Sequence, residues 1–274
     1  MLPIGLQLYS VKNEMAQDFE GTIRKVAEMG YEGVEFAGLF DKTPSEIKEL
    51  LEKYSLKAVS AHVPLADMME NLDKVIADYK EIGCKFVVIP YVDEKYRPGT
   101  PDYPETLRII GEIGKKLKEA GLSLLYHNHD FEFVKVDGEY GLDIMYSTVS
   151  EEYLNPELDT CWVNVGGEEP APYILKYKGR TPVIHLKDFV MKGKDKPQKL
   201  YELIGIEDET ESASEDDFSF KPVGYGVQDF PAILEAAEKA GAAWVVVEQD
   251  SPDKGNTPLN AVKMSIEYLN KLGW

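Results

Sequence analysis

A chain of 274 residues with 43% hydrophobic and 29% charged residues is long enough for one large core and too apolar to be disordered as a whole. Its net charge of -19, from 30 Lys and Arg against 49 Asp and Glu, repels phosphate backbones and anionic membrane surfaces; no nucleic-acid partner is expected, and small neutral substrates remain. No run reaches the roughly 18 apolar residues of a membrane span, and the opening MLPIGLQLYS lacks the basic and apolar parts of a secretory signal, so a cytoplasmic enzyme is expected. Cys84 and Cys161 form neither a disulfide framework nor a CxxC knuckle and read as buried free thiols.

In chain order, short apolar runs alternate with amphipathic, helix-length segments. Strands are expected near residues 3 to 9, 32 to 36, 57 to 63, 85 to 91, 122 to 128, 154 to 160, 182 to 187 and 243 to 249. Helices are expected between them, among them one near 15 to 29 and a last one near 258 to 271. Thr43, Pro44 and Glu46 spell a capping box with proline in the first turn, and Asp229 to Ala232 resembles it. Glycines in EMGYEG, EIGCKF, EAGLSL and KAGAAW mark helix ends. Eight strand–helix units averaging about 34 residues point to a single (β/α)8 TIM barrel over residues 1–274, with a doubly wound open sheet as the alternative.

Between Phe189 and about Gln228 no element is evident, which gives a long loop after the seventh strand at about 190–222. Its acidic run EDETESASEDD, residues 207–217, reads either as a solvated tip or as a lid over substrate. Gly224 and Gly226 in PVGYGVQDF fit a turn before a helix, with close backbone approach to the site as the alternative. No P-loop or dinucleotide fingerprint is present.

The polar residues that a divalent cation favours end separate strands: His127 and His129 in LLYHNHDFEF, Asp159 in ELDTCWV, His185 in VIHLKD and Glu248 in WVVVEQD. Residues two apart on a strand share a face, so His127 pairs with His129, Val183 with His185 and Lys187, and Trp244 with Val246 and Glu248. Carboxyl ends of barrel strands are where barrel enzymes keep their sites. Gln7, Tyr9, Glu35 and His62 are expected at the same rim as substrate contacts, although His62 and Glu35 also fit as satisfied rim groups, and Tyr9, Trp162 and Trp244 as core or pocket wall. Two buried carboxylates beside histidines would cost several kcal/mol without a cation.

From IGLQLYSVK and GYEGVEFAG through YHNHDFEF, LDTCWV, HLKD and PVGYGVQDF to VVVEQD, the chain resembles the xylose isomerase-like TIM barrels. This sugar phosphate isomerase/epimerase group also includes inosose dehydratases, dehydroshikimate dehydratases and keto-sugar lyases. The resemblance implies one divalent ion held at the ends of the fifth to eighth strands, with Asp159, His185 and Glu248 as ligands. Members that use two opposed acidic residues carry Glu where this chain has His127. His127 is therefore the aligned fifth-strand ligand, and His129 matches the acid–base histidine of related dehydratases; the reverse assignment stays open.

Two histidines and two carboxylates with an open position suit manganese, cobalt, iron or zinc better than magnesium, and manganese is favoured. The expected chemistry is polarisation of a keto-sugar carbonyl, proton transfer by His129 with Glu248 assisting, and an enediolate intermediate. Lys187 is expected to bond a substrate oxygen, or to pair with Asp188 or a Glu at the rim. A sugar or keto-sugar isomerase/epimerase is the first reading, a lyase or dehydratase of a keto-sugar or cyclitol the second, and a noncatalytic sugar-binding barrel the third. A DNA-repair endonuclease is excluded by four histidines and the acidic charge. Lys187, Lys192 and Lys194 form no dedicated phosphate loop, so an unphosphorylated substrate is expected, and the resemblance is compatible with a homo-oligomer.

Overall fold

The computed structural model describes residues 1–192 and 218–274. The acidic run at 207–217 and Lys194 lie outside the described residues. Eight parallel strands close on themselves: β1 (Ile4–Gln7), β2 (Gly33–Ala37), β3 (Lys57–His62), β4 (Phe86–Ile89), β5 (Ser123–His127), β6 (Asn155–Asp159), β7 (Val183–Leu186) and β8 (Trp244–Val247). Closure is direct, because β1 pairs with β2 through Gly5 and Gly33 and with β8 through Ile4 and Val245. A doubly wound sheet would leave two open edges, so the expected barrel stands and the open-sheet alternative falls.

The inside of the barrel is layered. Val59, Val88, Leu125, Val183 and Val246 fill its lower part, with Phe86 and Trp244 packed against them, while polar side chains occupy the upper part. Trp244 is thus core wall rather than part of any chemistry. The larger apolar cluster lies outside the strands, under the helices.

Local signals act as the sequence leads one to expect. Thr43 accepts from Glu46 N–H at 3.3 Å and Glu46 accepts from Thr43 N–H at 2.8 Å, the reciprocal capping box of helix Pro44–Tyr54. Asp229 caps Ala232 at 3.2 Å. Gly83 and Gly241 end their helices at φ 99° and 82°. The helix expected near 15 to 29 is instead two, Lys12–Gln17 and Phe19–Glu28, because Asp18 turns out of helical geometry to cap Gly21 at 3.0 Å.

The stretch after β7 also differs from expectation. Asp188–Met191 and Phe218–Lys221 form an antiparallel hairpin rather than structureless chain. Phe189, Phe218 and Phe220 seat it on Cys161 and Trp162, a second apolar cluster beside the barrel mouth. Asp188 anchors its base: the carboxylate accepts from the backbone N–H groups of Phe189 (2.9 Å), Gly224 (3.0 Å), Gly226 (2.7 Å) and Gln228 (3.2 Å). A Cβ at Gly226 would lie 2.3 Å from both Asp188 Oδ1 and the Phe189 carbonyl oxygen. Gly226→Ala is therefore expected to lower stability by about 1–3 kcal/mol in urea unfolding. A change of about 0.5 kcal/mol or less would contradict this anchor.

Candidate active site

The carboxyl ends of β5 to β8 bring four donors together: His127, Asp159, His185 and Glu248, all buried, with one ligand atom of each within 4.8 Å of the others. The backbone explains how each is aimed. Asp159 ends β6 and caps helix Thr160–Val165, its Oδ1 accepting from Trp162 N–H at 3.0 Å while Oδ2 turns to the site. His127 Nδ1 lies 3.3 Å from the Pro90 carbonyl, which can only accept, so Nδ1 carries the proton and Nε2 faces Asp159 and Glu248. His185 presents Nδ1 to Glu248 Oε2 at 3.1 Å. Its Nε2 lies 2.8 Å from Glu35 and 3.1 Å from Glu157, close enough for ionic contact though misaligned for a hydrogen bond.

This set fits a divalent ion. Ligand bonds of about 2.1 Å in a tetrahedron put donors about 3.4 Å apart. His127 Nε2 is 3.4 Å from Asp159 Oδ2 and 3.5 Å from Glu248 Oε2. His127 Nε2 and Asp159 Oδ2 are also buried without a hydrogen-bond partner, a costly state that a cation would relieve. A second grouping, His62, His127, Glu157 and His185, shares two of these rings. It fits less well, because His62 Nε2 and Glu157 Oε1 lie 2.7 Å apart, a hydrogen-bond distance well short of the spacing between two donors on one ion.

The charges reach the same conclusion. Glu35, Glu157, Asp159, Glu248 and Asp250 face the buried Lys187 and the histidines. Burial pushes the His185 imidazole down, yet Glu157, Glu35 and Glu248 together hold it well above its ordinary range. Burial likewise opposes a charged His127, but Asp159 and Glu248 raise it. Protons on these rings compensate the carboxylates, a task a metal ion does with more charge.

His129 differs. Strand β5 ends at His127, so His129 sits in the following loop rather than on the same strand face. The turn is made by Asn128, whose Oδ1 accepts from Asp159 N–H at 3.0 Å, and by Glu132, which accepts from His129 N–H at 2.8 Å. The ring nevertheless lies 5.2 Å from that of His127, stacks on Phe131 at 5.1 Å and abuts Trp162 at 5.3 Å. Burial, then the charges of His127 and Lys187, push its pKa well below 6.5, and Nδ1 is buried without a hydrogen-bond partner. Glu132 is pushed by burial up to about 8, against the lowering effect of the Tyr126 hydroxyl and the His129 N–H. A folded Glu132 holds its proton to about pH 8 while an unfolded one releases it near about 4.3. Its contribution to stability is therefore present at low pH and lost as pH rises through that window. Wild-type stability should fall relative to Glu132→Gln between about pH 5 and about pH 8, and parallel urea-unfolding profiles would contradict the assignment.

Lys187 is 1% exposed and pairs with Glu248 at 3.1 Å, Asp159 at 3.7 Å and, closest, Asp250. The pairing with a Glu is as expected; pairing with Asp188 is not, because Asp188 points away into the backbone amides described above. Gln7 and Glu35 also sit elsewhere than expected. Both are fully buried below the pocket, Gln7 Nε2 donating to Glu35 Oε1 at 2.6 Å and Gln7 Oε1 accepting from Tyr9 N–H at 3.0 Å. Glu35 further meets Ser60 and His62, the latter at 3.1 Å. Their polar atoms meet each other and, through Glu35, the histidines, and neither residue lines the pocket. Tyr9 and His62 do line the pocket, with Pro90, Tyr91, His127, His129, Lys187, Glu248 and Asp250, around about 80 Å3.

Glu157 and Asp250 escaped the sequence reading. The signal existed: each lies two residues from a strand-end carboxylate, Glu157 before Asp159 and Asp250 after Glu248.

Comparison with known proteins agrees with this architecture. The inosose dehydratase of Lacticaseibacillus casei is 23% identical over 276 residues, covering 92% of this chain and 89% of its own. A sugar phosphate isomerase/epimerase structure from Parabacteroides distasonis superposes with a TM-score of 0.78 at 22% identity, over 98% of this chain and 93% of that one. The structure of an IOLI protein with a bound zinc atom superposes at 0.71 with 15% identity, over 99% and 98%. The sequence pattern described as xylose isomerase-like TIM barrel matches residues 23–272. With eight closed parallel strands and that match over nearly its whole length, the chain belongs to the xylose isomerase-like TIM barrel family.

Proposed function

We propose that this chain is a divalent-metal-dependent carbon–oxygen lyase that dehydrates a keto-sugar or keto-cyclitol. The observation that carries the reading is His129, a neutral, aromatic-walled imidazole beside the His127, Asp159, His185 and Glu248 donor set. The relative named inosose dehydratase, similar over 92% of the chain, supports the same direction. The histidine at 127 also removes one of the two opposed carboxylates that an epimerase of this family would use, which moves the isomerase/epimerase reading to second place.

His127, Asp159, His185 and Glu248 would hold the ion. When bound, it supplies Lewis acidity toward a substrate carbonyl oxygen; manganese remains our choice among the metals this donor set accepts. His129 takes the proton from the carbon next to the carbonyl. The released electron pair forms the carbon–carbon double bond as the β-hydroxyl departs, and the proton now on His129 goes to that oxygen, so the net loss is one water. Lys187 reaches the pocket with its ammonium and bonds a substrate oxygen, while Trp162 and Phe220, 5.3 Å and 5.0 Å from Nζ, keep water from its other side. Tyr9 and His62, which line the pocket, would contact the rest of the ring from the rim.

Incubating the metal-loaded protein with a keto-cyclitol in D2O tests this. Mass loss of one water from the product is expected. Deuterium uptake without mass loss would favour the isomerase/epimerase reading instead, which uses the same site and rests on Glu248 as a second group lining the pocket beside His129. Absence of either with keto-cyclitols and keto-sugars would leave the binding barrel.

A further inference from the structure

The catalytic pocket is smaller than a typical small-molecule site. Its volume is about 80 Å3, whereas such sites run to roughly 300–1,000 Å3. A groove of about 320 Å3 between the β3 and β4 ends shares Pro90 and Tyr91 with the pocket. Tyr91 is the common wall, its ring edge-on to His129 at 6.0 Å on the pocket side. Beyond it the groove is lined by Pro64, Leu65, Ala66, Met69, Val92 and Tyr96, with Asp93 and Lys95 as its charged residues. Met69 is 55% exposed, a large apolar side chain left in solvent beside an active site.

We propose that this groove is a substrate subsite for an apolar or aromatic substituent, so that the preferred substrate is a sugar-like ring carrying an aryl group rather than a bare polyol. The inference rests on the proposed function, in which the reacting carbon of a polyhydroxy ring meets the pocket. A ring placed with its reacting carbon at His129 projects a substituent past Tyr91, where Ala66 and Met69 on helix Leu65–Ile82 and Tyr96 opposite offer apolar faces. Burying such a group should tighten binding at least about tenfold over a methyl substituent.

Titration calorimetry of the purified protein with phenyl β-D-glucopyranoside and methyl β-D-glucopyranoside tests this without turnover. The phenyl glycoside should bind at least about tenfold more tightly. Ala66→Trp, at an exposed position where the fold is not at stake, should fill the groove and bring the two affinities together. Equal binding by the wild type, no binding of the phenyl glycoside, or a preference untouched by Ala66→Trp would each overturn the subsite. The lyase reading fails separately, on the product analysis above; these glycosides carry no ketone, so their binding tests the subsite alone.

Discussion

His129→Ala should lower turnover by about 10^2 to 10^4-fold while leaving bound metal unchanged. The ring lines the pocket and lies next to the donor set without being needed to complete it, so the cation's donors survive its loss. Its enclosure by Phe131 and Trp162 favours the neutral imidazole, and the charges of His127 and Lys187 act in the same direction. A base held neutral to well below pH 6.5 should keep kcat/KM from falling on the acid side until pH drops well under that value. Turnover within about tenfold of wild type would remove His129 as the proton carrier. Loss of metal together with activity would instead exchange the roles of His127 and His129.

Lys187→Met should cost about 3–5 kcal/mol of stability in the metal-free protein, measured by urea unfolding. The ammonium is the lysine charge set among Glu248, Asp159 and Asp250, at 1% exposure, and methionine keeps the length while removing the charge. Burial raises the Asp250 carboxyl to about 6 even with the lysine beside it. Without the lysine these carboxylates repel one another in a medium that screens poorly. Added divalent ion should restore part of the loss, because it neutralises Glu248 and Asp159 and binds only the folded chain. Stability within about 1 kcal/mol of wild type would mean that the lysine is not the counter-charge of this cluster.

The barrel was legible because eight apolar runs recur at one spacing and each is followed by a helix with a recognisable start or stop. The donor set was legible for a related reason: Asp159, His185 and Glu248 stand at strand ends, and a closed barrel gathers strand ends. Alternation along a strand tells which face a residue takes, but not how deep along the barrel axis it lies. Gln7 and Glu35 face inward as expected, yet a register shift between Val34 and Glu35 sets Glu35 opposite Ser60, below the pocket rather than in its wall. His129 reaches the pocket through the turn made by Asn128 and Glu132, which strand periodicity does not describe. Asp188 reads as a partner for its neighbour Lys187 and instead collects backbone amides from residues 36 to 40 positions later, a contact that exists only once the hairpin has folded back.

The most direct test of the metal centre is elemental analysis of the purified wild type beside His127→Ala and Asp159→Asn, each dialysed against the same trace-metal buffer. Close to one divalent ion per chain in the wild type, lost from both variants, is the result expected from His127 Nε2 and Asp159 Oδ2, the two buried atoms without a hydrogen-bond partner that face each other across 3.4 Å. A wild type that takes up no manganese, cobalt or zinc, or variants that hold as much metal as the wild type, would contradict it.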